Sequence, residues 1–186
     1  MKESHKTAHQ IISSLKPFDQ TEKLHIELSL KWIEQAPEIF RIEKPATPCM
    51  HLVSYFTLLD FKTNNILLVD HKKANLWLPP GGHVEPQEHP KITVQREAKE
   101  ELDIEANFFL QDPLFLTVST IPEDTLPHTD VSLWYILRGN QDHVYNFDKR
   151  EFHQIRWFPI QDIPWEKSDP HLQRFIQKLS QTISLI

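Results

Sequence analysis

The sequence predicts an α/β fold in which a mixed β-sheet is covered by helices on its faces. Short runs of apolar, aromatic and β-branched residues dominate the middle of the chain, whereas both ends show apolar residues at helical spacing. One further helix interrupts the strands. The chain has 186 residues, of which 39% are hydrophobic. That length is enough for one well-packed domain with an extension, but short for two domains.

The first predicted helix covers residues 19–36, with Asp19 as its N-cap. Three apolar residues recur at helical spacing and form a stripe on one side of this helix: Leu24, Leu28 and Trp32. Because such a stripe is rarely left in water, we expect it to pack on the domain or on a second subunit. A proline-containing connector at residues 43–49 follows. We therefore predict an N-terminal helical extension, 1–44, and a main domain, 45–186.

The predicted strands lie between the connector and the C-terminal helix. Asn64 and Asn65 separate the first two strands and predict a hairpin. The strands cover residues 51–60, 66–71, 113–120, 130–139 and 153–159. After Pro170, five apolar residues at helical spacing predict a closing helix: Leu172, Phe175, Ile176, Leu179 and Ile183.

Composition excludes several classes of protein. The formal net charge is -6, from 20 Lys and Arg against 26 Asp and Glu, so the basic footprint of a protein that binds duplex nucleic acid is missing. No apolar run approaches the roughly 18 residues of a membrane span, and the N-terminus lacks a signal-peptide core. Cys49 is the only cysteine, which excludes an intramolecular disulfide. We expect a cytoplasmic protein, either a monomer or a homodimer, that binds no membrane.

The helix predicted from Pro90 to Leu102 has one apolar and one acidic side. Its acidic residues are Glu97, Glu100 and Glu101. Glu97 and Glu101 are like charges at i and i+4, and their repulsion costs about 0.2–0.5 kcal/mol. All three acids also lie near the negative end of the helix dipole. A bound cation would relieve both effects. Three carboxylates without a histidine or thiol at matching spacing favour Mg²⁺ or Mn²⁺.

The residues before this helix complete a longer pattern. Gly82 is followed by five residues, Glu88, seven residues and the sequence REAKEELDI, which ends at Ile104. This pattern resembles the Nudix box, in which G, five residues, E and seven residues precede R-E-U-x-E-E-x-G-U, where U is a bulky aliphatic residue. Ala98 and Asp103 depart from it. The resemblance covers about residues 48–165. It implies an α/β/α sandwich fold and an enzyme that hydrolyses a nucleoside diphosphate linked to another group.

The resemblance also implies roles for individual residues. The metal ligands would be Glu97, Glu100, Glu101 and the carbonyl of Gly82, holding Mg²⁺ or alternatively Mn²⁺. Glu88 and Arg96 would form an ion pair that orients the loop against the helix, and Glu85 would be a supporting acid or a further ligand. The general base stays open between Glu97, Glu100 and a later loop acid, Glu151.

Other side chains are weaker substrate candidates. His83 follows the two glycines and would either contact a phosphate or pack beside the loop. Trp77 would either stack on a base or belong to the core, as aromatic residues in strands more often do. A further set is weaker still, and a surface position is the simpler expectation for each: His51, Lys72, Lys73 and residues 128–130.

Two alternative functions compete with hydrolysis. A non-catalytic nucleotide-binding or regulatory domain would be expected with a damaged box, yet every acid of the box is present. The isomerase that uses this fold on isopentenyl diphosphate needs a reactive cysteine in a setting that Cys49 does not supply. Asp103 replaces a glycine just past the helix C-terminus, so we expect a left-handed conformation there at a small cost in stability.

Overall fold

The computed structural model describes residues 2–44, 47–121 and 127–184. The helices are α1 (Glu3–Ser14), α2 (Gln20–Gln35), α3 (Pro90–Leu102) and α4 (Leu172–Ile183). The strands are β1 (Met50–Asp60), β2 (Asn65–His71), β3 (Leu76–Leu78), β4 (Gly81–His83), β5 (Phe115–Ile121), β6 (His128–Arg138) and β7 (Phe152–Pro159). Among these described elements, no helix has the length and apolar character needed to cross a membrane.

The strands form one mixed sheet with the order β3-β2-β1-β6-β5, to which β4 adds by pairing with β1 and β7 by pairing with β2. The two central strands, β1 and β6, run parallel, and the other pairs are antiparallel. The predicted hairpin between β1 and β2 is confirmed. Asn64 has a φ of 56°, and Asp60 pairs with Asn65 beside it.

Two hydrophobic cores cover the two faces of the sheet. The first core joins the sheet to α1, α2 and α3 and includes Ile12, Ile33 and Leu102. The second core joins the sheet to α4 and includes Ile136 and Phe175. The α/β/α sandwich with an N-terminal helical extension is therefore confirmed.

The extension packs on the domain through a different face of α2 from the one predicted. Leu24 and Leu28 are 53% and 48% exposed, so these two residues do not pack on the domain, and their packing on a second subunit stays a prediction. The buried side of α2 carries Ile26 and Ile33, together with two polar residues, Glu22 and Ser29. The sequence also failed to predict α1, whose buried residues are His5, Ala8 and Ile12.

Side chains of α2 also cover the free edge of β5. The backbone N–H of Leu116 donates to Glu22 Oε1 at 3.2 Å, and that of Val118 donates to His25 Nδ1 at 3.3 Å. An uncovered edge strand invites pairing with another chain. The extension therefore closes one side of the sheet.

Candidate active site

Helix α3 presents its acidic side to a cavity of about 580 Å³. The opposite side of the helix, with Val94, Ala98 and Leu102, is fully buried in the first core, as predicted. The cavity also borders β1, β4 and the start of β7. Of the residues singled out from the sequence, those that line it are Gly82, His83, Glu85, Arg96, Glu97, Glu100, Glu101, Asp130 and Glu151.

Glu101 is the most deeply buried of the acids on α3. It is 5% exposed, and its Oε2 accepts a hydrogen bond of 2.8 Å from the backbone N–H of Gly81. Burial raises the pKa of Glu101 well above its usual range, and the negative charges of Glu97 and Glu151 add to this shift. A neighbouring cation would favour the ionised form of this carboxyl group.

Two glycines let β4 pass close to its neighbours. Gly81 has a φ of 143°, and a Cβ there would lie 2.2 Å from the carbonyl oxygen of Ser54 on β1. A Cβ on Gly82 would lie 2.1 Å from Oε1 of Glu97. The carboxylate of Glu97 therefore rests directly against the backbone of Gly82, and a side chain at that position would displace it.

Arg96 connects the loop after β4 to α3. Its Nε and Nη2 each donate to a different oxygen of Glu88 at 3.2 Å, and Nη2 also donates to the carbonyl of His83 at 3.1 Å. Glu88 further accepts a bond of 2.7 Å from the hydroxyl of Thr93. Burial by itself would raise the pKa of Glu88, but the bonds from Arg96 and Thr93 outweigh it and lower the pKa.

The remaining acids differ in how firmly they are held. Glu97 accepts a bond of 2.6 Å from Arg96 Nη1, yet burial raises its pKa despite that cation. Glu100 has a side chain that is 60% exposed and lies 3.5 Å from Arg96. Glu151 and Glu85 are exposed, and each lines the cavity. These carboxylates surround one cavity from α3, from the segment after β4 and from the residue just before β7.

The most compact group of metal-binding residue types in the described part of the chain lies beside these acids. It consists of His51 on β1, His83 on β4, and His128 and Asp130 on β6, with one potential ligand atom from each within 4.8 Å of the others. The expectation of surface positions is wrong for His51, His128 and Asp130, which are 0%, 9% and 6% exposed.

One part of this group had a signal in the sequence. His128 and Asp130 are two residues apart, which places both side chains on the same face of a strand. His51 joins them because Asp130 is its partner in the parallel pairing of β1 with β6. That register cannot be read from spacing, since the two strands are far apart in the sequence.

The other weak candidates lie elsewhere. The ring of Trp77 contacts that of Phe158 edge to face, with centroids 5.0 Å apart, and Trp77 does not line the cavity. Lys72 and Lys73 are exposed in the turn after β2. His83 lies at the cavity wall, where burial and the charge of Arg41 lower its pKa to about 3.

Comparison with known proteins gives a family match. A family model described as NUDIX domain matches residues 51–179. No curated protein sequence matches the chain significantly.

Solved structures with the same fold include three from different organisms. The MutT protein of Methanosarcina mazei is 19% identical, with a TM-score of 0.54, over 70% of this chain and 93% of that one. A NUDIX-family hydrolase of Clostridium perfringens is 20% identical, with a TM-score of 0.52, over 71% and 97%. The Ap4A hydrolase of C. elegans is 20% identical, with a TM-score of 0.51, over 72% and 99%. At these identities the likeness concerns the fold.

Proposed function

This chain belongs to the Nudix family of hydrolases that act on pyrophosphate bonds, and we propose that it cleaves a nucleoside diphosphate linked to another group. The observation that carries this proposal is the set of carboxylates around one cavity, with Glu101 buried among them. We place the hydrolase domain at residues 45–186.

The donor set of the cavity fits a hard divalent cation. Glu97, Glu100 and Glu101 would hold Mg²⁺, or alternatively Mn²⁺, together with the carbonyl oxygen of Gly82. The burial of Glu101 next to other acids leaves negative charge that Arg96 does not neutralise, because Arg96 is bonded to Glu88 and Glu97. When bound, the metal neutralises charge on the diphosphate and acidifies a water molecule.

Some acids of the cavity are held in place by hydrogen bonds, and others are exposed to it. The Gly81 amide holds Glu101, and Arg96 holds Glu97, so both are fixed in the way that metal ligands require. Glu100 and Glu151 are exposed at the cavity and are the two carboxylates best placed to take the proton of the attacking water. Arg96 and Glu88 position Glu97 without reacting themselves.

The size and lining of the cavity fit a nucleotide. A volume of about 580 Å³ lies in the range of small-molecule sites. Arg41 and Lys44 line the cavity and supply positive charge for phosphates, and Tyr55 and Phe152 supply aromatic surface. Since a structural relative of this fold is an Ap4A hydrolase, dinucleoside polyphosphates belong among the substrates to be tested.

A substrate screen tests the proposal. Purified protein is incubated with nucleoside triphosphates, nucleotide sugars, ADP-ribose and dinucleoside polyphosphates in Mg²⁺, and release of phosphate, pyrophosphate or nucleoside monophosphate is measured. We expect turnover of at least one class, abolished by excess chelator and by Glu101→Gln. Full turnover in chelator would refute the metal requirement. Saturable nucleotide binding without product would instead support a non-catalytic binding domain.

A further inference from the structure

A second group of polar residues borders the same cavity through His83 and Asp130 and shares no side chain with the acids of α3. His51, His83, His128 and Asp130 come from three neighbouring strands, and their potential ligand atoms lie within 4.8 Å of one another. The ring of His51 is central, with its centroid 4.8 Å from that of His83 and 5.3 Å from that of His128. Nothing in the proposed hydrolysis uses this arrangement.

His51 uses one ring nitrogen, Nδ1, in a hydrogen bond, which leaves Nε2 as its potential metal ligand. Nδ1 lies 2.8 Å from the carbonyl oxygen of Pro48, and because a carbonyl can only accept, Nδ1 carries the hydrogen. In a neutral imidazole the other nitrogen, Nε2, then has a lone pair. Nε2 lies 3.1 Å from Oδ1 of Asp130 in the protein interior.

Several potential ligand atoms of the group are buried and have no hydrogen-bond partner among the residues that the structure describes: His51 Nε2, His83 Nε2 and Asp130 Oδ1. The 3.1 Å between His51 and Asp130 is an ion-pair distance, but the two atoms do not meet in hydrogen-bond geometry. His128 Nε2 lies 3.5 Å from the same Asp130 oxygen. Because burying polar atoms without a partner is unfavourable, we expect them to share one.

We propose that His51, His83, His128 and Asp130 bind a divalent transition metal of the Zn²⁺ class, at a site distinct from the carboxylate site of α3. Three imidazoles and one carboxylate suit Zn²⁺, whereas Mg²⁺ prefers oxygen ligands only. Bonds of about 2.0–2.1 Å would bring neighbouring ligand atoms to about 3.3 Å. The side chains therefore close in slightly on binding. The Pro48 carbonyl is the kind of outer partner that fixes the orientation of a metal-binding histidine.

This site would tie β4 to the two central strands. His83 pairs with Val53 of β1, and His51 pairs with Asp130 of β6. His83 directly follows Gly82, whose backbone supports the carboxylate of Glu97. A metal held by His83 would therefore fix the strand on which Glu97 rests.

Metal binding by the full-length protein tests this assignment. The protein is stripped with chelator, saturated with Mg²⁺ to occupy oxygen sites, and titrated with ZnCl₂ by calorimetry, followed by elemental analysis after gel filtration. We expect one Zn²⁺ per chain and a rise in melting temperature, because only the folded chain assembles the ligands. Co²⁺ in place of Zn²⁺ should give the visible absorption of a tetrahedral site with nitrogen ligands.

Variants decide which residues bind. His128→Asn and Asp130→Asn should each weaken Zn²⁺ binding by at least about 100-fold, more than the loss of an outer-shell partner. The melting temperatures of these variants without metal should not fall, since each substitution removes an unpaired or poorly paired group. A loss of Zn²⁺ binding can therefore be distinguished from a folding defect. His153→Asn, at an exposed position of β7, is the matched control and should bind normally, as should Glu100→Gln.

Two results would overturn the proposal. If the stripped wild-type protein binds no Zn²⁺ or Co²⁺ in the presence of Mg²⁺, the four residues do not form a metal site. If Zn²⁺ binds but Glu100→Gln abolishes binding while His128→Asn does not, the metal occupies the carboxylate site. Either result leaves the proposed hydrolysis untouched, because turnover with Mg²⁺ is measured separately.

Discussion

Lys178 Nζ lies 2.8 and 3.0 Å from the two carboxylate oxygens of Glu22, and this ion pair joins α4 to α2 inside the protein. Glu22 is fully buried and also accepts bonds from the backbone N–H groups of Phe18 and Leu116. Lys178 Nζ donates a further bond of 2.7 Å to the carbonyl of Lys16. The pair is thus hydrogen-bonded on both sides, which buried charges require.

Lys178→Ala should lower the free energy of unfolding by about 3–5 kcal/mol, because it leaves the Glu22 carboxylate buried without its counter-ion. Denaturant unfolding measures the change. Lys23→Ala is the control, since Lys23 forms only an exposed pair with Glu27 at 4.0 Å, and such pairs contribute at most about 1 kcal/mol. Equal losses in the two variants would show that the buried pair does not hold the extension in place.

This pair also explains why the buried side of α2 was not predicted. Helical periodicity finds apolar residues, and it selected Leu24 and Leu28. The side that is buried includes Glu22 and Ser29. Ser29 donates to the carbonyl of His25 within the same helix, but the burial of Glu22 depends on Lys178, which lies 156 residues away in the sequence. Such a distant partner is invisible to a local pattern.

The sequence predicted correctly those features that depend on neighbouring residues alone. Helix α3 and its apolar stripe follow from spacing, and Asp103 has the expected left-handed conformation, with φ and ψ of 53° and 41°. Helix α1 was missed because two of its buried residues, His5 and Ala8, are not strongly apolar. The histidine group was missed because β1 and β6 pair over a long sequence separation.

Asp169 should make stability depend on pH. Burial raises its pKa to about 6, against an ordinary value of 3.8, despite a bond from the backbone N–H of His171. A raised folded-state pKa means that its contribution to stability is fully present below pH 3.8 and is lost as the pH rises through 6. Asp169→Asn removes that loss while keeping an acceptor.

We therefore expect Asp169→Asn to be more stable than wild type by about 1–3 kcal/mol at pH 8 and equal to it near pH 4. Urea denaturation at both pH values measures the difference. Asp162→Asn, at an exposed position, is the control and should show no such pH dependence. A constant difference at the two pH values would mean that Asp169 does not titrate as inferred.

Glu101→Gln and Glu88→Gln should separate a metal ligand from a positioning residue. Glu101→Gln keeps an acceptor for the Gly81 amide but removes a buried charge, so metal-free stability should hold or rise by about 0.5–1 kcal/mol. Activity should fall by at least about 100-fold.

Glu88→Gln should lower stability by up to about 3 kcal/mol, because Arg96 loses one of the two carboxylates that it hydrogen-bonds and keeps only Glu97, and should reduce activity less. Melting each variant with and without Mg²⁺, and assaying the same preparations, gives the comparison. If Glu101→Gln melts well below wild type without metal and yet turns over normally with it, the acidic side of α3 is structural.

Gly82→Ala should mainly reduce activity, whereas Gly139→Ala should mainly reduce stability. A Cβ on Gly82 meets the flexible end of Glu97 at 2.1 Å, whereas a Cβ on Gly139 meets the ring of Trp157 at 2.5 Å and Leu58 at 3.1 Å. Displacing Glu97 should lower stability by about 1 kcal/mol, because its hydrogen bond to Arg96 is lost. It also misplaces a proposed metal ligand, so activity should fall roughly 100-fold. Overpacking at Gly139 should cost about 1–3 kcal/mol in stability with little change in turnover by the folded protein.

A double variant identifies the cause of the loss at Gly82. Glu97→Ala removes the atoms that the new Cβ would meet, so Gly82→Ala should cost no further stability or activity once Glu97→Ala is present. Unfolding and turnover of the two single variants and of the double variant, measured under the same conditions, give the coupling directly. If the two losses simply add, Gly82 acts through something other than Glu97, and the close contact between them does not position the carboxylate for catalysis.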